Sequence, residues 1–160
     1  MVRNISNLFS SVVGRQDVDE ESRAVRERCL VCDGVLVGSD LFELYRLCPE
    51  CRFHYSMTAR ERIDILADLG SFREINRTVT SIDPLSFASR LSYKRRLFKD
   101  QRRTGLTEAA VTGTCTIGRT PVMLVVLDFG FMGGSMGCVV GEKVALAFEY
   151  AVKRNLPVVA

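Results

Sequence analysis

Asp128-Phe129-Gly130-Phe131-Met132-Gly133-Gly134-Ser135-Met136-Gly137 is the run on which the reading of this chain turns. Before it, Pro121 to Leu127 is almost wholly apolar, the pattern of a buried strand. After it, a helical pattern sets in at about Gly141. A strand therefore feeds a glycine-rich loop, and the loop feeds a helix. Glycine carries no Cβ, so main-chain N–H groups in such a loop can approach a ligand closely. The loop is not a Walker motif, because Lys143 follows Glu142 rather than glycine and no Ser or Thr comes next. It does not match G-x-G-x-x-G either, so direct ATP or dinucleotide binding is unsupported.

Working outward, Ala109 to Ile117 is rich in small and β-branched residues, and Gly118-Arg119-Thr120-Pro121 is turn-like. Together with the apolar run they predict a hairpin inside a larger sheet. Downstream, Val144, Phe148, Ala151 and Val152 are expected on one buried helix face, and Leu156 to Ala160 begins another strand. A buried strand needs neighbours. The chain is accordingly expected to be part of a longer protein, or to be completed by a separate chain.

The other strong signal is Cys29-Leu30-Val31-Cys32, then fifteen residues, then Cys48-Pro49-Glu50-Cys51. This spacing falls in the range of a structural zinc site. Each Cys-x2-Cys turn directs two thiolates at one point, and two turns complete a tetrahedron. Gly34 lets the backbone reverse, and Val35-Leu36-Val37 and Leu41 to Tyr45 are expected as strands of a zinc ribbon. Four sulfur ligands leave no position for water, so the metal is expected to be structural. His54, the single histidine, is read as a surface or packing residue. The remaining thiols, Cys115 and Cys138, are read as buried and inert.

Thr58-Ala59-Arg60-Glu61 fits a capping box, opening a helix with Ile63, Leu66 and Ala67 on its apolar face. A second short helical piece is expected from Phe72 to Arg77, and Asp83-Pro84-Leu85 breaks the pattern. From Tyr93 to Arg103 the chain is basic, with Tyr93, Leu97 and Phe98 at helical spacing. This stretch reads as a solvated helix face, as an electropositive wall for phosphates, or as an RNA contact.

Composition bounds the rest. The chain has 160 residues, 47% hydrophobic and 26% charged, with a formal net charge of +3. It reads as a soluble globular α/β protein, and its charge is too mild to demand a nucleic-acid partner. No apolar run approaches the roughly 18 residues of a membrane span. Met1 to Arg15 lacks the apolar core of a signal peptide, so a cytoplasmic location is expected. Residues 1–24 are expected to be a flexible tail.

The cysteine pattern, Thr58 to Asp64, Asp83-Pro84-Leu85-Ser86-Phe87, the stretch from Tyr93, Thr104-Gly105 and the run from Asp128 to Lys143 together resemble one family. It is the β subunit of bacterial and plastid acetyl-coenzyme A carboxylase carboxyltransferase. The resemblance covers about Arg28 to Ala160, and the glycine-rich run is its most specific part. It implies a four-cysteine zinc ribbon over 25–56, a helical connecting region over 57–105, and the first part of a crotonase-like α/β domain over 106–160. It implies transfer of a carboxyl group from carboxybiotin to acetyl-CoA, giving malonyl-CoA. It also implies partners: a carboxyltransferase α subunit in a heterotetramer of two α and two β chains, a biotin carboxyl carrier protein and biotin carboxylase.

Such chemistry needs main-chain N–H groups held where negative charge develops, and no protein nucleophile. Gly133, Gly134 and Gly137 are the candidates for lining the acyl-CoA pocket, and Cys29, Cys32, Cys48 and Cys51 for holding Zn2+. Family members carry a second glycine-rich segment, Ser-Gly-Gly-Ala-Arg-Met, that holds the thioester oxygen. It lies past the position of Ala160, so the chain as written is expected to hold half of a site. The competing reading is a zinc-ribbon module that contacts nucleic acid or regulates, without catalysis of its own.

Overall fold

A computed structural model describes residues 27–87 and 92–160. The expected tail over 1–24 lies outside the described residues. The chain divides into two compact units, Met1–His54 and Tyr55–Ala160.

In the first unit a short helix, α1 (Asp40–Tyr45), occupies the stretch expected as a strand. The sequence explains the correction. Asp40 and Glu43 place negative charge in the first turn, where the helix dipole favours it, although Ser39 at the N-cap makes no side-chain capping bond. Phe42 turns inward, while Leu44 and Tyr45 stay exposed. Val35 makes only an isolated bridge, to Arg28.

The second unit opens with α2 (Ala59–Leu66). Its capping box is present: the Thr58 hydroxyl accepts from Glu61 N–H at 3.2 Å, and the Glu61 carboxylate accepts from Thr58 N–H at 2.8 Å. The piece expected as helix over Phe72 to Arg77 is instead strand β1 (Arg73–Ile75). Long-range pairing overrides the local pattern here. β1 lies antiparallel to β2 (Ala110–Ile117), with Glu74 opposite Gly113. A Cβ on Gly113 would sit 2.6 Å from the Arg73 carbonyl oxygen and from the Phe72 ring, so the close pairing requires glycine.

Helix α3 (Tyr93–Thr104) precedes β2, and β3 (Thr120–Leu127) follows it. β2 and β3 pair antiparallel from Ala110↔Leu127 to Ile117↔Thr120, as the expected hairpin. Its turn places Gly118 at φ 56 and Arg119 at φ 68, the left-handed pair that suits the twist of a tight hairpin. Asp68 clasps this turn, accepting from Gly118 N–H at 2.9 Å and Arg119 N–H at 2.8 Å. Helix α4 (Cys138–Arg154) then leads to β4 (Val158–Val159), which is parallel to β3. The strand order is β1-β2-β3-β4.

Alternation along β3 distributes its side chains to both sheet faces. Val122 and Leu124 join a core with Ala59, Ile63, Leu97 and Phe131. Met123 and Val125 pack in a second core with Ala147 and Ala151. The buried face of α4 is Val140, Lys143, Ala147 and Ala151. Of the expected face, Ala151 is buried and Val144 partly so, but Phe148 is 44% and Val152 76% exposed. Two alanines one turn apart let the helix approach the sheet, and the bulkier residues are turned outward. Cys115 is buried as expected, whereas Cys138, at the first helical position, is exposed.

Candidate functional site

The four paired cysteines come together. Their sulfurs all lie within 4.8 Å of one another. Cys29 Sγ is 3.7 Å from Cys51 Sγ, and Cys32 Sγ is 3.6 Å from Cys48 Sγ. A tetrahedron with metal–sulfur bonds of about 2.3 Å separates its sulfurs by about 3.8 Å, so the spacing fits one ion. The two halves are built alike. Cys29 N–H donates to Gly34 O, and Cys48 N–H donates to Phe53 O. Asp33 and Arg52, each four residues past its first cysteine, share a left-handed φ of 60 and 61. The flanking bridges, Arg28↔Val35 and Leu47↔His54, repeat the same spacing. His54 is exposed and occupies the bridge position, not a ligand position. A Cβ on Gly34 would meet Glu50 Cγ at 2.7 Å, which explains glycine at the crossing of the two turns.

Electrostatics agree with a metal-binding role. Hydrogen bonding from the Phe53 backbone favours the Cys51 thiolate. Desolvation and the three neighbouring sulfurs oppose it more strongly and push the thiol up to about 12. A dication bound among the four sulfurs would compensate the negative charge that crowding disfavours at Cys51.

In the second unit, the end of β3 delivers Asp128 to the N-terminus of α2. Its carboxylate accepts from Ala59 N–H at 2.7 Å and from Gly130 N–H at 2.8 Å. Only 3% of Asp128 is exposed, so these bonds fix where the glycine-rich loop departs. The loop then makes a left-handed turn, with φ of 47 at Met132, 68 at Gly133 and 71 at Gly134. Two glycines meet a real steric demand there. Gly137 differs: it is the N-cap of α4, at an ordinary φ of −88, and a Cβ would meet nothing within 4 Å. Gly133, Gly134 and Gly137 thus lie in one loop, in two distinct roles.

Sequence reasoning missed the groups that hold this loop. On α3, Asp100 accepts from Met132 N–H at 3.2 Å and from Arg103 at 2.6 Å. Arg103 also donates to the Gly130 carbonyl. The basic helix is therefore tied to the loop at two points. Arg95, Phe98, Lys99, Arg102 and Arg103 line an open groove of about 520 Å³. Lys143 was missed as well. It is 1% exposed, and its ammonium donates to Ala110 O at 2.9 Å. Burial pushes its pKa below the ordinary lysine value, while Glu74 and Glu108 pull it part of the way back. The available signal was its spacing, four residues before Ala147 and eight before Ala151.

Comparison with known proteins places the chain among the carboxyltransferases. Its sequence relatives are more particular. The acetyl-coenzyme A carboxylase carboxyl transferase subunit beta of Prochlorococcus marinus strain NATL1A is 42% identical over 138 residues, 86% of this chain and 47% of the relative. The same subunit from strain MIT 9515 is 41% identical over 148 residues, covering 92% of this chain and 51% of the relative. The chain thus spans about half the length of the curated relatives it matches. Among solved structures, a single-chain, multi-domain long-chain acyl-CoA carboxylase is 28% identical with a TM-score of 0.50, over 64% of this chain and 10% of that one. No family model matches. Among the described residues, no helix is long and apolar enough to cross a membrane.

Proposed function

We propose that this chain serves acetyl-CoA carboxyl transfer as β-subunit sequence, in the cytoplasm, with an α-type partner. The carboxyl group would arrive on the biotin of a carrier protein, charged by a biotin carboxylase, and acetyl-CoA would leave as malonyl-CoA. The observation that carries this reading is 42% identity over 138 residues to a named β subunit. The loop supports it. Its left-handed turn brings Gly133 and Gly134 main chain to a surface without Cβ cover, the kind of wall a thioester arm can lie against. Carboxyl transfer then asks the protein for position and for N–H donors, not for a nucleophile. Zn2+ is proposed as the ion held by Cys29, Cys32, Cys48 and Cys51, in a closed structural site.

The test is reconstitution. The chain is assembled with a carboxyltransferase α subunit and given carboxybiotin and acetyl-CoA. Malonyl-CoA is the expected product. A folded complex that forms none would sink the reading.

A further inference from the structure

We propose that Asp100, oriented by Arg103, is a positioning residue: a side-chain clamp on α3 that sets the direction of the main-chain amides in the left-handed turn of the glycine-rich loop. The inference rests on the carboxyltransferase reading and adds to it a residue that acts through the loop.

The Asp100 carboxylate divides its two oxygens between helix and loop. Oδ1 accepts from Arg103 Nη2 at 2.6 Å and from Arg103 Nε at 3.3 Å, and Oδ2 accepts from Met132 N–H at 3.2 Å. The Arg103 guanidinium also donates to the Gly130 carbonyl. Helix and loop are thus joined on both sides of Phe131, which is fully buried. The Asp128 carboxylate holds the loop from its other end, and reaches no further along it than Gly130 N–H.

The place of the Asp100 bond separates it from an ordinary tether. Met132 has φ 47, a left-handed conformation that a side chain disfavours, and Gly133 and Gly134 continue the turn at φ 68 and 71. A residue so held persists where its surroundings over-determine it. Of the turn's three amides, that of Met132 goes to Asp100 and that of Gly134 to Phe131 O at 2.8 Å. The amide of Gly133, an exposed residue, has no partner among the described residues. The one amide left over therefore lies between two that are held, and Asp100 holds one of them. Helix α3 is already packed into the core through Leu97, so attachment alone does not call for this bond.

The experiment uses the full chain assembled with its carboxyltransferase α partner. Asp100→Leu keeps a good helix former of similar size and removes the acceptor, whereas Asp100→Asn retains one acceptor oxygen. In malonyl-CoA formation, kcat is expected to fall about tenfold in Asp100→Leu, the scale of one lost charge-assisted hydrogen bond, with KM for acetyl-CoA within about twofold of the parent. Asp100→Asn is expected to lie between the two. In the chain itself, hydrogen exchange at the Met132 amide is expected to quicken about tenfold in Asp100→Leu, while amides of β2 and β3 keep their rates. Unchanged kcat, a KM that rises without a fall in kcat, or Asp100→Asn no better than Asp100→Leu overturns the proposal. So does unchanged exchange at Met132, or exchange that quickens equally across β2, β3 and the turn. A parent complex that forms no malonyl-CoA would defeat the carboxyltransferase reading, and exchange at Met132 would still decide the clamp.

Discussion

Within the glycine-rich loop, single residues separate backbone necessity from ligand contact. Gly134 has φ 71, and a Cβ there would sit 3.1 Å from the Phe129 ring. Gly134→Ala therefore combines a left-handed alanine with a crowded side chain, at a cost of about 1–2 kcal/mol. Urea denaturation should show that loss. Gly137→Ala meets open space at φ −88 and should stay within about 0.5 kcal/mol of the parent. If Gly134→Ala proved as stable as the parent, the left-handed turn would be wrong. A rise in KM for acetyl-CoA in Gly137→Ala, without a stability change, would assign Gly137 to the ligand. Asp128 shows why the run cannot be read as a loop alone. Its carboxylate completes the N-terminus of α2, sixty-nine residues earlier in the chain. No spacing rule reveals such a bond.

At the scale of elements, local signals and long-range pairing divide what was legible. The capping box at Thr58 and Glu61 was readable because both partners lie within one turn. The β2–β3 hairpin was readable from its turn and its apolar run. β1 was not, since three residues become a strand only by lying against Gly113. The inward face of α4 was misjudged because apolarity pointed to Phe148 and Val152, while packing chose Ala147, Ala151 and Lys143. Lys143 makes this element sensitive to pH. Its folded-state pKa lies below the unfolded value of 10.5, chiefly through burial. Between those two values the unfolded chain binds the extra proton, so stability rises with pH there and is flat on either side. Lys143→Met keeps the side chain's length and removes the titration. The parent should gain on the variant as pH climbs toward 10.5, by about 1.4 kcal/mol per unit of depression. Denaturation midpoints of both proteins across the alkaline range measure it. Parallel curves would show that Lys143 titrates normally in the fold.

For the whole molecule, the two units differ in what holds them. Tyr55–Ala160 has its own apolar cores, built on both faces of β3. The described part of the first unit buries few side chains, among them Leu36, Phe42, Cys29 and Cys48. Two of those four are thiols of the metal cluster, and a ribbon this small lacks the apolar area to fold unaided. Metal binding is then part of its folding free energy, on the order of 10–16 kcal/mol in small zinc peptides near neutral pH. The consequence is a selective response to a chelator. Stripping the ion should release one zinc per chain and open the amides of residues 29–54 to hydrogen exchange. Amides of β2 and β3, within the second unit's sheet, should keep their protection. Cys48→Ser should reproduce the exchange pattern without a chelator, because the remaining three sulfurs no longer close the tetrahedron. Zinc retained with unchanged affinity in that variant would contradict the four-cysteine assignment. Loss of protection throughout β2 and β3 on stripping would show that the second unit's cores do not stand by themselves.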